Sequence, residues 1–186
     1  MRLFTAVDLP DDVVSALTRL IGALRPKARI RWSPAENLHI TTKFIGEWPE
    51  ARLGELKSAL SGLGPREPIP IGIRGLGFFP NPNSPRVFWA AIEASPALAD
   101  LARATEAALE RLGIEAEKRA FSPHLTLARI KEPVPMQPLK QAIAELPSLE
   151  FGAFTADRFH LYLSKLAPSG SVYTKLAEFP FGTLPS

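Results

Sequence analysis

A mixed α+β fold of two similar lobes, each an antiparallel-rich sheet flanked by helices, is what this sequence predicts. Three observations carry the prediction. Short strand-like runs alternate with stretches whose apolar residues recur at helical spacing. The two halves share an order: a strand, a helix, then a strand bearing a His-x-Thr-x tetrad. The tetrads are His39-Ile40-Thr41-Thr42 and His124-Leu125-Thr126-Leu127. The 19 prolines fall mainly between elements, as many short connections require. The chain of 186 residues is read as one domain, 1–186.

The elements follow in order. Leu3 to Leu9 is an apolar run with strand character. Pro10-Asp11-Asp12 then supplies acids suited to a helix start, and Val13, Val14, Leu17, Leu20, Ile21 and Leu24 recur at helical spacing up to Pro26. Ile30 to Trp32 reads as a short strand, Ser33 to Asn37 as a turn, and Leu38 to Ile45 as a strand closed by Gly46. Pro49 to Leu60 is a helix ending near Gly62. Ile69 to Phe79 is a strand region whose glycines suggest bulges or close backbone approaches. After the loop Pro80 to Pro85, Val87 to Ile92 is a strand. Pro96 to Leu112 is the clearest helix, with Leu98, Leu101, Ala102, Thr105, Ala108, Leu109 and Leu112 on one stripe and Gly113 as its stop. His124 to Ile130 is a strand and Leu139 to Leu146 a helix. Leu149 to Phe154, Arg158 to Leu163 and Val172 to Phe179 read as strands, the last two joined by Ala167-Pro168-Ser169-Gly170.

Composition excludes several classes. Hydrophobic residues at 46% with 22% charged are ordinary for a folded globular chain. Cysteine is absent, so disulfides, thiolate nucleophiles and thiolate metal sites are excluded, and a reducing compartment fits. No run approaches the roughly 18 apolar residues of a membrane span. The N-terminal Met1 to Asp8 reads as a first strand and not a signal peptide, so the cytoplasm is the expected location. A net charge of +3 and a pI near 9.4 are compatible with an anionic substrate, but no Lys/Arg block marks a nucleic-acid tail.

Only three histidines occur, and two of them begin the tetrads. Strand side chains alternate faces, so His39 and Thr41 share a face, as do His124 and Thr126. Residues two apart on a strand are roughly 6.5–7 Å apart, so one phosphate can reach both an imidazole and a hydroxyl. An imidazole titrates near pH 6.5, which lets one ring accept a proton while the other donates one. Two such strands facing one cleft hold the groups for an in-line displacement at phosphorus, with threonine hydroxyls donating to the non-bridging oxygens.

The same residues admit other chemistry. His39, His124 and His160 can in principle ligate zinc, although no His-x-His or His-x-x-x-His pair occurs. His160, within Arg158-Phe159-His160-Leu161-Tyr162, reads as a structural or surface residue. There is no phosphate-binding Gly-Lys-Ser/Thr loop, and Gly72, Gly75 and Gly77 lack the dinucleotide spacing. No Gly-x-Ser-x-Gly elbow occurs.

The paired tetrads resemble the 2H phosphoesterase superfamily. Further segments resemble its bacterial and archaeal RNA 2′,3′-cyclic phosphodiesterase branch, historically called 2′-5′ RNA ligase. These are Arg2 to Pro10, Arg31-Trp32, Glu36 to Gly46, Ser122 to Arg129, Leu163 to Leu166, Gly170 and Tyr173. Ile40 and Thr42 depart from the commoner leucines. The resemblance covers nearly the whole chain. It implies a bilobal, pseudo-twofold α+β fold with one tetrad from each lobe at a central cleft. It also implies hydrolysis of RNA ending in a 2′,3′-cyclic phosphate to a 2′-phosphate, without metal or cofactor.

By the same resemblance His39 is the proton donor and His124 the proton acceptor, roles that the sequence itself does not separate. Thr41, Thr126 and Arg129 bind phosphate, and Phe44 stacks a base. Strict alternation puts Arg129 opposite to His124 and Phe44 opposite to His39, so a surface arginine and a core phenylalanine are the rival readings. Lys43, in phase with His39, is read as an electrostatic aid or a solvated lysine. Joining a 5′-hydroxyl to the cyclic phosphate gives a 2′-5′ linkage and is expected to be secondary. A monomer is expected, because one chain supplies both tetrads. A non-catalytic RNA-end binding module and a phosphodiesterase of small cyclic nucleotides, such as ADP-ribose cyclic phosphate, are the alternatives.

Overall fold

A computed structural model describes residues 1–182, so the predicted domain end at 186 lies outside the described residues. The chain forms β1 (Arg2–Val7), α1 (Asp11–Leu24), β2 (Arg31–Trp32), β3 (Ile40–Glu47), α2 (Leu53–Ser61), β4 (Ile69–Phe79) and β5 (Val87–Ala94). There follow α3 (Pro96–Glu110), β6 (His124–Arg129), α4 (Gln137–Ala144), β7 (Glu150–Ala156), β8 (Arg158–Ala167) and β9 (Gly170–Pro180). Two sheets result, ordered β3-β1-β8-β9 and β2-β6-β5-β4-β7, with every neighbouring pair antiparallel. This is the expected α+β architecture, two antiparallel sheets flanked by helices.

The lobes are tied by exchanged helices. α1 leaves β1 of the first sheet and packs on β7 of the second, while α3 leaves β5 of the second sheet and packs on β3 of the first. α1 buries Val13, Leu17, Leu20, Ile21 and Leu24, the one-sided spacing that a 3.6-residue period produces. Its approach to β7 requires Gly152 (φ 139°), where an added Cβ would lie 2.8 Å from Val13 Cγ2. α3 buries Leu98, Leu101, Ala102, Thr105 and Leu109. Leu17, Ile40, Phe88, Leu101, Leu125 and Leu161 belong to one continuous core drawn from both sheets and both helices.

Most element boundaries shift by only a few residues. The strand expected over Leu3–Leu9 stops at Val7, ahead of Pro10, which has no N–H to offer a ladder. The helix expected over Pro49–Leu60 begins as a 3₁₀ turn at Glu50–Arg52, with Arg52 N donating to Pro49 O at 3.0 Å, before α2 proper. The fourth helix ends at Ala144, and Leu146 N closes a tighter turn onto Ile143 O.

Candidate active site

The first tetrad sits at the start of β3, an edge strand of the first sheet beside β1. A 3₁₀ turn at Ala35–Asn37 delivers the chain, so His39 precedes the first ladder residue, Ile40. Ile40 points into the core. Thr41 lies opposite Ala6 and Lys43 opposite Thr5, so β3 spends two residues where β1 spends one. Thr42 is the extra residue of a β-bulge. Its buried hydroxyl bonds that of Thr5 at 2.7 Å. Beyond the bulge Phe44 lies opposite Phe4.

The second tetrad repeats this backbone. His124 and Thr126 lie opposite Ala91 and Trp89 of β5, and Ala128 lies opposite Phe88, so Leu127 is again the extra residue. Leu125 and Leu127 are fully buried, and His124 faces away from the core. Arg129 then pairs with Val87 on one side and Arg31 on the other. Cross-strand partners share a face, so Arg129 emerges on the side of His124 and Thr126. Trp89 lies flat across Gly77, where an added Cβ would fall 2.2 Å from the indole.

One short segment joins the two motifs. Ser33 fastens to β6 through N–H to Leu127 O at 2.8 Å and Oγ to Thr126 O at 2.8 Å. Four residues on, Asn37 Nδ2 donates to Ser171 O of the first sheet at 2.9 Å. His39 follows six residues after Ser33, so chain length alone holds it within roughly 20 Å of the Thr126 carbonyl. The intervening 3₁₀ turn brings it closer.

Both imidazoles are held alike. His39 Nδ1 lies 3.0 Å from Asn37 O, and His124 Nδ1 lies 2.9 Å from Ser122 O, each the carbonyl two residues back. A carbonyl only accepts, so Nδ1 carries the proton in each ring and Nε2 is free to exchange one.

Their surroundings differ. Phe4, Ala6 and Tyr162 form a small buried cluster apart from the main core, with Tyr173 against it. His39 sits there, with ring centroids 4.5 Å from Tyr162, 5.8 Å from Tyr173 and 6.3 Å from Phe4. Burial pushes the His39 pKa down. The Asn37 carbonyl and the Asp8 charge, whose Oδ1 is 3.9 Å from Nε2, oppose this without cancelling it. His124 is exposed. Burial raises the Asp8 pKa, but hydrogen bonds from Lys175 Nζ, at 2.8 Å, and from Tyr162 Oη outweigh it and hold the carboxyl ionised. Burial and that same bond to Asp8 push the Tyr162 phenol well above its ordinary range.

The structure settles several positions that alternation left open. Phe44 is 70% exposed, not core, and its ring lies 6.4 Å from Phe4 on the face that carries His39. Arg129 is exposed on the face of His124. One device explains both: the bulge at the fourth tetrad position advances the side-chain phase by one residue. It also corrects the reading of Lys43. That side chain does not share a face with His39. It turns inward, 5% exposed, and bonds Glu106 Oε1 of α3 at 2.6 Å and Glu115 O at 2.9 Å. His160 proves structural, not surface-exposed: it is 2% exposed, with Nε2 3.1 Å from Glu178 Oε1 and Nδ1 3.4 Å from Asp8 Oδ1.

Sequence reasoning missed Asp8, Tyr162, Lys175 and Trp89 as neighbours of the site. Asp8 alone left a trace, as a charge ending an apolar strand run. Among the described residues no group of three or more histidines and carboxylates has the geometry to hold a metal ion. No helix there is long and apolar enough to cross a membrane. Two surface hollows, one beside Leu60 and Phe179 and one beside Gly72 and Phe154, include neither tetrad.

The chain is similar to known proteins over nearly its whole length. The family model described as LigT like Phosphoesterase matches residues 7–89 and 92–173, one tetrad in each segment. An RNA 2′,3′-cyclic phosphodiesterase of Thermus thermophilus is 38% identical over 187 residues, covering 96% of this chain and 89% of that one. One of Methanothermobacter thermautotrophicus is 34% identical over 181 residues, covering 96% and 98%. The crystal structure of TT0787 of Thermus thermophilus superposes with a TM-score of 0.82 at 35% identity, covering 97% of this chain and 98% of that one. That of E. coli LigT complexed with 3′-AMP does so at 0.76 and 26%, covering 98% of each. The chain therefore belongs to the LigT-like phosphoesterases of the 2H superfamily.

Proposed function

We propose that this protein hydrolyses the 2′,3′-cyclic phosphate at the end of an RNA to a 2′-phosphate, using its two tetrad histidines and no metal. One observation carries the reading: both rings tie Nδ1 to the carbonyl two residues back, on strands bulged at the same tetrad position, with both Nε2 atoms free. The names of the relatives supply the substrate.

In this mechanism His124 Nε2 takes a proton from water, whose oxygen attacks phosphorus in line with the 3′ oxygen. The new P–O bond forms as the bond to the 3′ oxygen breaks. His39 Nε2 gives its proton to that departing oxygen, which leaves the phosphate on the 2′ oxygen. Thr41 and Thr126 donate to the non-bridging oxygens, Arg129 adds positive charge, and Phe44 stacks a base. The lowered pKa of His39 makes the protonated ring a readier donor. The anionic phosphodiester and Asp8 supply the negative charge that loads it with a proton. With a 5′-hydroxyl in place of water as the nucleophile, the same displacement forms a 2′-5′ linkage and frees the 3′-hydroxyl. The enzyme is taken to be a cytoplasmic monomer, each chain carrying both histidines.

The test is an oligoribonucleotide ending in 2′,3′-cyclic phosphate, incubated in excess EDTA with the native protein, His39→Ala and His124→Ala. The native protein is expected to release a 2′-phosphate end, and each variant to lose about 10²–10⁴ in rate. Turnover that requires added zinc would sink the metal-free mechanism. Tight binding without turnover would make the protein an RNA-end binding module.

A further inference from the structure

Across the second sheet, beyond Thr126, Arg31 of β2 and Arg129 of β6 stand directly opposite one another. Cβ atoms of such pairs lie about 4.5–5.5 Å apart, and like charges there repel. Both side chains are exposed. Among the described residues neither has a carboxylate partner. A single basic residue would suffice to block a sheet edge. Two in register, unneutralised and on the catalytic face, make a place for an anion.

The position is fixed on both sides. Trp32, the next residue, turns the other way, with its ring edge-on to buried Phe88 and Nε1 donating to Ala28 O at 3.1 Å. Ser33 then pins the segment to Thr126 and Leu127. Arg31 is thus held one strand over from Arg129, on the face that carries His124 and Thr126.

We infer that Arg31, together with Arg129, binds the next phosphate of the RNA, the 5′-phosphate of the terminal nucleotide. The inference rests on the proposed cyclic-phosphate reaction and deepens it, because the site then selects a polynucleotide end over a small cyclic nucleotide. Two planar guanidinium forks suit a phosphodiester, whose two free oxygens accept several N–H donors at once. A nucleoside 2′,3′-cyclic phosphate without a 5′-phosphate leaves Arg31 without an anion.

The experiment compares kcat/KM for one nucleoside 2′,3′-cyclic phosphate with and without a 5′-phosphate. The native protein is expected to favour the 5′-phosphorylated form roughly tenfold, as a charged hydrogen bond would give. Arg31→Ala and Arg31→Gln should bring the ratio close to one, and Arg31→Lys should keep part of it. On an oligonucleotide, Arg31→Ala should also reduce the slope of log(kcat/KM) against log[salt] by about one. Native turnover without preference, or an unchanged ratio in a folded Arg31→Ala protein, overturns the inference and leaves the parent reaction standing. Absence of native turnover on either substrate sinks the parent reaction instead. Two variants and a ratio read on one preparation guard against a partly unfolded sample.

Discussion

Position for position, β3 and β6 make the same backbone from different residues. The second tetrad residue enters the core as Ile40 or Leu125, and the fourth forms the bulge as Thr42 or Leu127. The residue after the tetrad points inward as Lys43 or Ala128, and the next points outward as Phe44 or Arg129. The environments diverge where the backbones agree. His39 is enclosed by aromatic rings with a carboxylate nearby, while His124 is exposed. Pseudo-symmetry thus supplies two equivalent proton-carrying atoms. The side chains around them are free to make the two unequal, which is what an acid and a base require.

The largest break in this pairing is expected at Lys43. Its ammonium is buried against Glu106, where the other lobe has only Ala128. Removing one partner of a buried ion pair typically costs about 3–5 kcal/mol. Glu106 is about a quarter exposed and keeps its bond from Glu117 N at 2.6 Å, which softens the penalty. Lys43→Met is therefore expected to lose about 2–3 kcal/mol in urea unfolding. Lys43→Met/Glu106→Leu should recover much of that loss. A single-variant loss below about 0.5 kcal/mol would show the pair to be as weak as a surface bridge.

The bulge is the next point of comparison. In the first lobe it is held by the Thr42–Thr5 hydroxyl bond, and in the second by an apolar Leu127. Thr42→Val leaves the Thr5 hydroxyl buried and unpaired, an expected cost of about 1–3 kcal/mol. Thr5→Val/Thr42→Val should be more stable than Thr42→Val alone, because two apolar groups replace an orphan. If the double variant is worse by the sum of both singles, the hydroxyl pair is not what fixes the bulge.

These same bulges mark where the sequence stopped being legible. The tetrads, the helical stripes of α1 and α3 and nearly all strands can be read from periodicity, because burial selects apolar residues at the period of the element. A bulge leaves that period nearly intact and shifts it by one, and neither Thr42 nor Leu127 has a turn-former's composition. Counting alternate faces past it misplaced Lys43, and it put Phe44 and Arg129 in apparent conflict with the roles that the resemblance gave them. The surroundings of His39 were illegible for another reason. Asp8, Tyr162 and Lys175 come from three separate stretches of chain, and only the order β3-β1-β8-β9 brings them together.

Asp8 is the smallest and most specific difference between the lobes, and its removal acts through pH. Its negative charge raises the His39 pKa, in opposition to burial, so Asp8→Asn should lower that pKa further. For a proton donor the sign is definite. Below the lowered pKa His39 is protonated with or without Asp8, and the variant should work nearly as well as the native protein. As pH rises through that value, the variant loses its proton first. The activity deficit should widen across the neutral range, and the falling limb of kcat/KM that belongs to His39 should move to lower pH. The amide introduced by this substitution still offers an oxygen to Tyr162 Oη, so the aromatic wall around His39 is kept. An Asp8→Asn profile reduced by one factor at every pH would assign Asp8 to holding Tyr162 and Lys175 in place. An acid limb moved to lower pH, with the variant gaining on the native protein there, would exchange the roles of the two histidines, because a base of lowered pKa stays unprotonated further into acid.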